Sequence, residues 1–228
     1  MKNLLTIAAM MAAGAALAAT DVDSGNMFGF VPVTGATGLK AIAVPVAGYG
    51  ASADVKIAEI LQTTGLAGKS ATYDGDKLYT MAAGGKYNEY VLQEDKTWKA
   101  SRVVTVGASG ITADSGKPAD EATLERGQAF WLDTTATTVY LMGQAATEAV
   151  EIEPTTGWQM IGNPSMTAAL KVSDVPGVAG AYLAVGANKY QHLGEGDGWY
   201  NAKTRKAVTD SDVIAVGQGA MYRKPQAN

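Results

Sequence analysis

The sequence predicts an all-β protein, mainly antiparallel, built as two tandem sandwich-like or barrel-like repeats with one short helix in each. Glycine-containing turns recur at short intervals, and the segments between them alternate apolar and polar residues, which is typical of antiparallel strands. Residues 31–45 (VPVTGATGLKAIAVP) are echoed without a gap by residues 150–164 (VEIEPTTGWQMIGNP). Self-similarity on this scale indicates a duplicated architecture.

The first residues have the pattern of a secretory signal peptide. Lys2 supplies a positive charge, an apolar stretch rich in Ala and Met follows, and Ala16-Leu17-Ala18 is a small-x-small cleavage signal. We therefore expect residues 1–18 to be removed, with cleavage after Ala18 or Ala19. The alternative is an uncleaved membrane anchor, since the apolar run approaches the length of a spanning helix.

The remaining chain divides into an N-terminal extension and two repeats. Residues 19–30 form the extension, residues 31–145 repeat one and residues 146–228 repeat two. Residues 126–132 (RGQAFWL) of repeat one are echoed by residues 216–222 (VGQGAMY) of repeat two. Residues 107–123 have no counterpart in repeat two, and their small polar composition predicts a mobile insertion.

Many short strands, ten of which are given below as examples, and two helices are expected. Val55, Ile57 and Ile60 lie at helical spacing after a candidate N-cap at Ser52, and residues 166–172 form a shorter counterpart. The predicted strands include 40–46, 77–81, 87–92, 98–106, 128–132, 137–142, 150–153, 158–161, 181–185 and 214–222.

Residues 127–132 (GQAFWL) followed by residues 157–164 (GWQMIGNP) resemble the tandem β-modules of exported proteins from some environmental bacteria. The resemblance extends over most of residues 31–225. It implies an all-β fold, no defined activity and no catalytic residue in this chain. Repeat two departs from the pattern, because Met221 and Tyr222 stand where repeat one has Trp131 and Leu132.

Composition excludes several classes of function. The formal net charge is −4 and basic residues are not clustered, so we do not expect nucleic-acid binding. The chain has no cysteine, and therefore no disulfide or thiol chemistry. No second apolar run is long enough to span a membrane, so no membrane span is expected after cleavage. No cofactor is implied.

Catalytic and metal-binding patterns are missing. The single histidine, His192, has no Ser or Cys nucleophile motif with it, and we interpret it as a surface residue aligned with Glu89 of repeat one. Short acidic turns supply too few oxygen ligands for calcium. Two carboxylates would suffice for a glycosidase, but the acidic residues lie mostly in charged turns. We predict that the protein is not an enzyme.

The aromatic residues divide by their neighbours. Phe130, Trp131, Tyr140 and Trp158 lie within apolar alternation and are predicted to be in the core. Five other aromatic residues have polar neighbours and are candidates for stacking on sugar rings: Trp98, Trp199, Tyr200, Tyr90 and Tyr190. The alternative is that these rings pair across strands and define hairpin register.

The sequence also predicts an open sheet edge. Repeat one continues into residues 137–142 after its last shared strand, whereas repeat two has only residues 223–228. The apolar residues Met27, Phe28 and Phe30 are therefore predicted to complete a sheet, in the same molecule or in a neighbouring copy.

These expectations favour an exported, non-catalytic structural protein, extracellular or at the surface of a bacterium. It would assemble with itself into a filament or associate with other envelope components. The alternative is a secreted carbohydrate-binding or adhesion module with a glycan ligand.

Overall fold

The computed structural model describes residues 28–48, 54–82, 86–105, 111–112, 119, 122–145, 150–194 and 196–226. Within these residues the protein is mostly antiparallel β-sheet, which confirms the predicted fold class. No helix in the described part of the chain is long and apolar enough to cross a membrane. The predicted signal peptide and Met27 lie outside the described residues.

Repeat one is organised around a six-stranded sheet in the order β2-β9-β4-β5-β6-β7. Two further strand pairs, β1–β10 and β3–β8, complete it. The strands are β1 (Phe28–Thr34), β2 (Gly38–Ala43), β3 (Asp54–Lys56), β4 (Lys77–Ala82), β5 (Lys86–Leu92), β6 (Trp98–Thr105), β7 (Ile111–Thr112), β8 (Thr123–Glu125), β9 (Ala129–Thr134) and β10 (Thr138–Gln144).

Repeat two contains a six-stranded sheet in the order β11-β18-β13-β14-β15-β16, with one further pair, β12–β17. The strands are β11 (Gly157–Gly162), β12 (Leu170–Lys171), β13 (Tyr182–Val185), β14 (Asn188–His192), β15 (Trp199–Asn201), β16 (Lys206–Ala207), β17 (Val213–Ile214) and β18 (Gly219–Lys224).

The two large sheets have the same strand order and register. Gly38 of β2 lies opposite Thr134 of β9, and Gly157 of β11 lies opposite Lys224 of β18. Both glycines have positive φ, 77° and 98°, which a side chain would strain, and this explains why glycine recurs at the two positions. A constant offset in sequence therefore corresponds to the same place in each sheet.

The strand register also corrects the alignment of His192 with Glu89. Tyr90 faces Leu78 in repeat one, and Tyr190 faces Leu183 in repeat two, at equivalent positions of the two sheets. His192 is thus equivalent to Leu92, and the alignment of His192 with Glu89 was wrong by three residues. The cause is the longer β4–β5 hairpin, whose strands continue further past the equivalent Leu78–Tyr90 pair than β13 and β14 continue past Leu183–Tyr190.

The predicted helices are shorter than expected. Val55 lies in β3, where it is buried between two exposed neighbours, and only α1 (Ile57–Ile60) is helical. Ser52 lies outside the described residues. The counterpart in repeat two is a 3-10 turn, Val172–Asp174, preceded by β12. Alternating burial around the β-branched Val55 favours pairing with β8 over helix.

Each repeat has its own apolar core. The larger core, in repeat one, includes Phe130, Leu132 and Trp98, and β10 contributes Val139 and Leu141 to it. The core of repeat two is smaller, and its largest fully buried side chains are Tyr190 and Tyr222. The Trp199 ring, also in this core, lies edge-on to Tyr222 at 6.1 Å. Repeat two has the larger Tyr222 where repeat one has Leu132, and its described residues include no strand equivalent to β10.

The repeats meet in a reciprocal contact. The Ala43 amide donates to the Gly217 carbonyl at 2.9 Å, and the equivalent Gly162 amide donates to the Gly127 carbonyl at 2.7 Å. Contacts of the form i to j and j to i are those of an isologous dimer. Small residues make this approach possible, because a methyl group added at Gly219 would lie 2.6 Å from the Ala129 Cβ.

The N-terminal extension enters repeat one directly. Phe28 and Phe30 belong to β1 and pair with Gln144 and Met142 of β10 in the same chain. The structure therefore pairs this segment with repeat one of the same chain. Of the predicted insertion, only 111–112, 119 and 122–123 are among the described residues.

Candidate interaction surfaces

The described residues contain no group of three or more His, Asp or Glu side chains arranged to hold a metal ion. His192 lies against Trp199, with ring centroids 5.1 Å apart, and its Nδ1 accepts a hydrogen bond from the Gly194 amide. Burial lowers the pKa of His192. The imidazole therefore packs against Trp199, and its Nδ1 is engaged in a hydrogen bond within the protein.

Asp76 is a buried carboxylate of repeat one, and its oxygens are already occupied. One oxygen accepts from the Ala67 amide at 2.8 Å and the Thr134 hydroxyl at 2.7 Å, and the other accepts from the Tyr73 hydroxyl at 2.8 Å. Burial and this bond raise the pKa of Tyr73 to about 12. Asp76 therefore links the segments that contain Ala67, Tyr73 and Thr134, and its hydrogen bonds compensate for the burial of its carboxylate.

The first candidate surface is the outer face of the β1–β10 pair. Side chains directly opposite each other in an antiparallel pair lie on the same face. Phe28 and Phe30 project from this face with 49% and 60% exposure, next to the exposed Tyr140 and the partly exposed Met142. Val31 and Val33 alternate with them and pack inward. We call this surface the aromatic ribbon.

The ribbon shows why the core prediction for Tyr140 was wrong. Leu141 and Val139 project into the core, so the pleat places Tyr140 between them on the opposite face. Residues 139–142 (VYLM) are all apolar or aromatic, and composition alone does not reveal which alternate set faces inward.

The second candidate surface is an incomplete edge in repeat two. Residues 150–155 align with β1 but form no strand, which corrects the predicted strand at 150–153. After β18 no further strand occurs among residues 225–226, so the described chain provides no counterpart of β10 here. Val150 and Ile152 are half-buried, and Glu151 is exposed. We call this segment the open edge.

Two equivalent clefts lie where the repeats meet. One, of about 670 Å³, is lined by residues 32–36 and 39–42 together with residues 215–219 of repeat two. The other, of about 640 Å³, is lined by the open edge and residues 158–161 together with residues 124–129 of repeat one. Each cleft therefore combines the first two segments of one repeat with the connection before β9 or β18 of the other.

The proposed sugar-stacking residues are mostly buried. Trp98 and Trp199 are each 2% exposed, and Tyr90 and Tyr190 are also buried, so the expectation of exposed rings was wrong for these four. The Trp199 indole donates to the Val175 carbonyl inside repeat two. Polar neighbours misled the prediction because they belong to adjoining turns and to the opposite face of the same strands. Tyr200 is partly exposed.

An exposed aromatic surface was missed. Trp158, predicted to be core, is 49% exposed. Ile161 packs inward, so strand alternation places Trp158 on the outer face, opposite Arg223 of β18. Tyr182 of β13 is opposite Arg223 on its other side. This surface is recognisable only from strand pairing, because the pairing brings together residues that are far apart in sequence.

The row continues across the sheet. Tyr182 lies opposite Gln191 of β14, and Gln191 lies opposite Tyr200 of β15. We call this set the aromatic row: Trp158, Arg223, Tyr182, Gln191 and Tyr200. It includes one of the predicted ligand-binding residues, Tyr200, and excludes Trp98 and Trp199.

Comparison with protein-family models, curated proteins and solved structures found no match for this chain.

Proposed function

We propose that this protein is an exported, non-catalytic structural protein of the cell surface that assembles with copies of itself by strand addition. The observation that carries the proposal is that two unequal, unfinished edges occur on one chain. Residues 29–34 of β1 pair with one strand, β10, among the described residues, and the open edge forms no strand there.

The two edges are suited to each other. A sheet edge presents amide and carbonyl groups to any extended segment that reaches it. The exposed rings of Phe28 and Phe30 give β1 an apolar surface. The half-buried Ile152 offers an apolar contact in the open edge. Joining β1 of one copy to the open edge of the next is a head-to-tail contact, which generates an open filament unless the rotation closes a ring.

The first test is assembly of the chain from residue 19 onward. We expect concentration-dependent oligomers by light scattering and filaments by electron microscopy. Phe28→Thr with Phe30→Thr keeps β-forming residues in β1 but removes the exposed rings, and should shift the protein to monomers. Substitution is preferable to deletion, because residues 28–30 also pair with β10.

The matched control is Leu193→Thr, which removes an apolar side chain of similar exposure, 53%, from a hairpin of repeat two. This variant should assemble as the unaltered protein does. A monomeric unaltered protein at high concentration would contradict the proposal, and so would a double variant that assembles normally.

The alternative function, a secreted carbohydrate-binding or adhesion module, no longer rests on Trp98 and Trp199, which are buried. The aromatic row supports glycan binding at a different surface.

A further inference from the structure

The aromatic row differs in chemistry from its counterpart in repeat one. The equivalent positions there, read from the strand register, are Leu39, Asp133, Lys77, Val91 and Lys99. Three of these five are charged and none is aromatic. The same sheet position thus carries an ordinary charged surface in one repeat and rings in the other. Core packing does not require this difference, because both sets of side chains lie on the outer face.

The rings of the row are supported by each other. Trp158 and Tyr182 contact edge to face with centroids 5.8 Å apart, and the Arg223 guanidinium carbon lies 5.8 Å from the Trp158 ring centroid. At the other end, the Tyr200 hydroxyl donates to the Gln191 side-chain oxygen at 2.8 Å. Side chains held in this way lose less conformational entropy when a ligand binds.

The sheet beneath the row carries charge of one sign. Its six strands contain no Asp or Glu, whereas they contain four cations, Lys189, Lys206, Arg223 and Lys224. Arg223 and Lys189 are exposed and lie on the same face as the rings. The whole chain has a net charge of −4, so this face is a local exception. It complements an anionic ligand.

We propose that the aromatic row binds an acidic polysaccharide. Sugar rings present apolar faces for Trp158 and Tyr200, and their hydroxyl groups suit the amide of Gln191. Carboxylates along the chain would pair with Arg223 and Lys189. The row crosses five strands, a length of roughly 19 Å at about 4.8 Å per strand, so it accommodates several sugar units.

Two other occupants are less consistent with the surface. Single-stranded nucleic acid also stacks on aromatic residues, but it requires a longer basic groove than two exposed cations provide. A second copy of the chain would place Arg223 and Lys189 of one sheet against the same cations of another in a symmetric contact, which is repulsive.

The experiment measures binding of the chain from residue 19 onward to polygalacturonate by affinity electrophoresis and tryptophan fluorescence. Trp158→Leu introduces the residue that repeat one has at this position, and Arg223→Gln removes the cation. Each should weaken binding about tenfold, equivalent to roughly 1.4 kcal/mol. The control is Tyr140→Leu, an exposed ring on the aromatic ribbon, which should bind as the unaltered protein does.

Methyl-esterified polygalacturonate has the same backbone without free carboxylates and should bind more weakly. Added salt should weaken binding of the acid form. Absence of polygalacturonate binding, equal binding of the esterified form, or equal or stronger binding of single-stranded DNA would each overturn the proposal. Assembly of these variants, followed separately by light scattering, should be unchanged, so this result is independent of the filament model.

Discussion

His192 and Leu92 occupy the same sheet position in the two repeats, and each lies opposite a buried tryptophan. The apolar leucine has no charge state, whereas the histidine is an ionisable group placed against an aromatic ring. Because burial lowers the pKa of His192, the folded protein favours the neutral imidazole.

This difference predicts a pH dependence of stability. As the pH falls through the histidine's ordinary pKa of about 6.5, the unfolded chain takes up a proton more readily than the folded protein. The free energy of unfolding should therefore decrease between about pH 7.5 and about pH 5. Urea denaturation of the unaltered protein and of His192→Leu at both pH values measures it.

In His192→Leu the decrease over this range should be smaller. The lowered pKa of Asp212 belongs to a lower pH range and is common to both proteins. An identical decrease in the two proteins would show that His192 is not the group responsible.

At the scale of elements, the local pattern predicted most strands but not which of their faces is buried. Turn glycines and alternating runs located the hairpins from β4 to β6, because both are local properties of the chain. The exposure of Trp158 and Tyr140 depends on pairing with β18 and β1, which are distant in sequence. Short strands such as β15 give too few residues for alternation to be recognised.

The candidate surfaces were likewise predicted only where they depend on local sequence. Phe28 and Phe30 were predicted as an interaction segment from their apolar, extended character, and both are exposed. The aromatic row was not predicted, because five strands contribute one residue each. The open edge was predicted in part: no strand follows β18 among the described residues, as expected, but residues 150–153 were assigned as a strand and form none.

Strand addition predicts a specific cross-link between copies. Phe30→Cys in one preparation and Glu151→Cys in another place one thiol on β1 and one on the open edge, and the protein has no other cysteine. After mixing and mild oxidation we expect covalent dimers containing both variants, because strand addition would bring these segments of two copies together. Denaturing gels without reductant measure the product.

Leu193→Cys mixed with Glu151→Cys is the control, since Leu193 is exposed and lies after β14, outside both β1 and the open edge. Equal yields from both mixtures would show random collision rather than a defined contact.

At the scale of the whole molecule, the reciprocal contact between repeats depends on how closely their backbones approach. Ala129 and Gly219 are equivalent residues that face each other across this contact, and only one of them has a methyl group. Gly162 and Ala43 form a second such pair. There is room for one methyl group at each pair, not two.

A methyl exchange tests this packing. Gly219→Ala adds a second methyl 2.6 Å from the Ala129 Cβ and should lower the free energy of unfolding by about 1–3 kcal/mol. Adding Ala129→Gly removes the original methyl and should restore most of this loss, beyond what the single changes predict if they are independent. Urea denaturation of the four proteins measures the coupling. Strictly additive effects would show that the two residues do not share one space.

The reciprocal contact between the repeats should not open when the protein is diluted. Two separate subunits joined through such a surface dissociate when their concentration falls below the dissociation constant. Here the partners are joined by the short segment between β10 and β11, so each repeat experiences the other at an effective concentration on the order of millimolar, whatever the amount of protein in solution. Under the proposed export into a large outside volume, this contact would stay closed. Its two halves would then be free to diverge in sequence, one carrying an aromatic ribbon and the other an aromatic row.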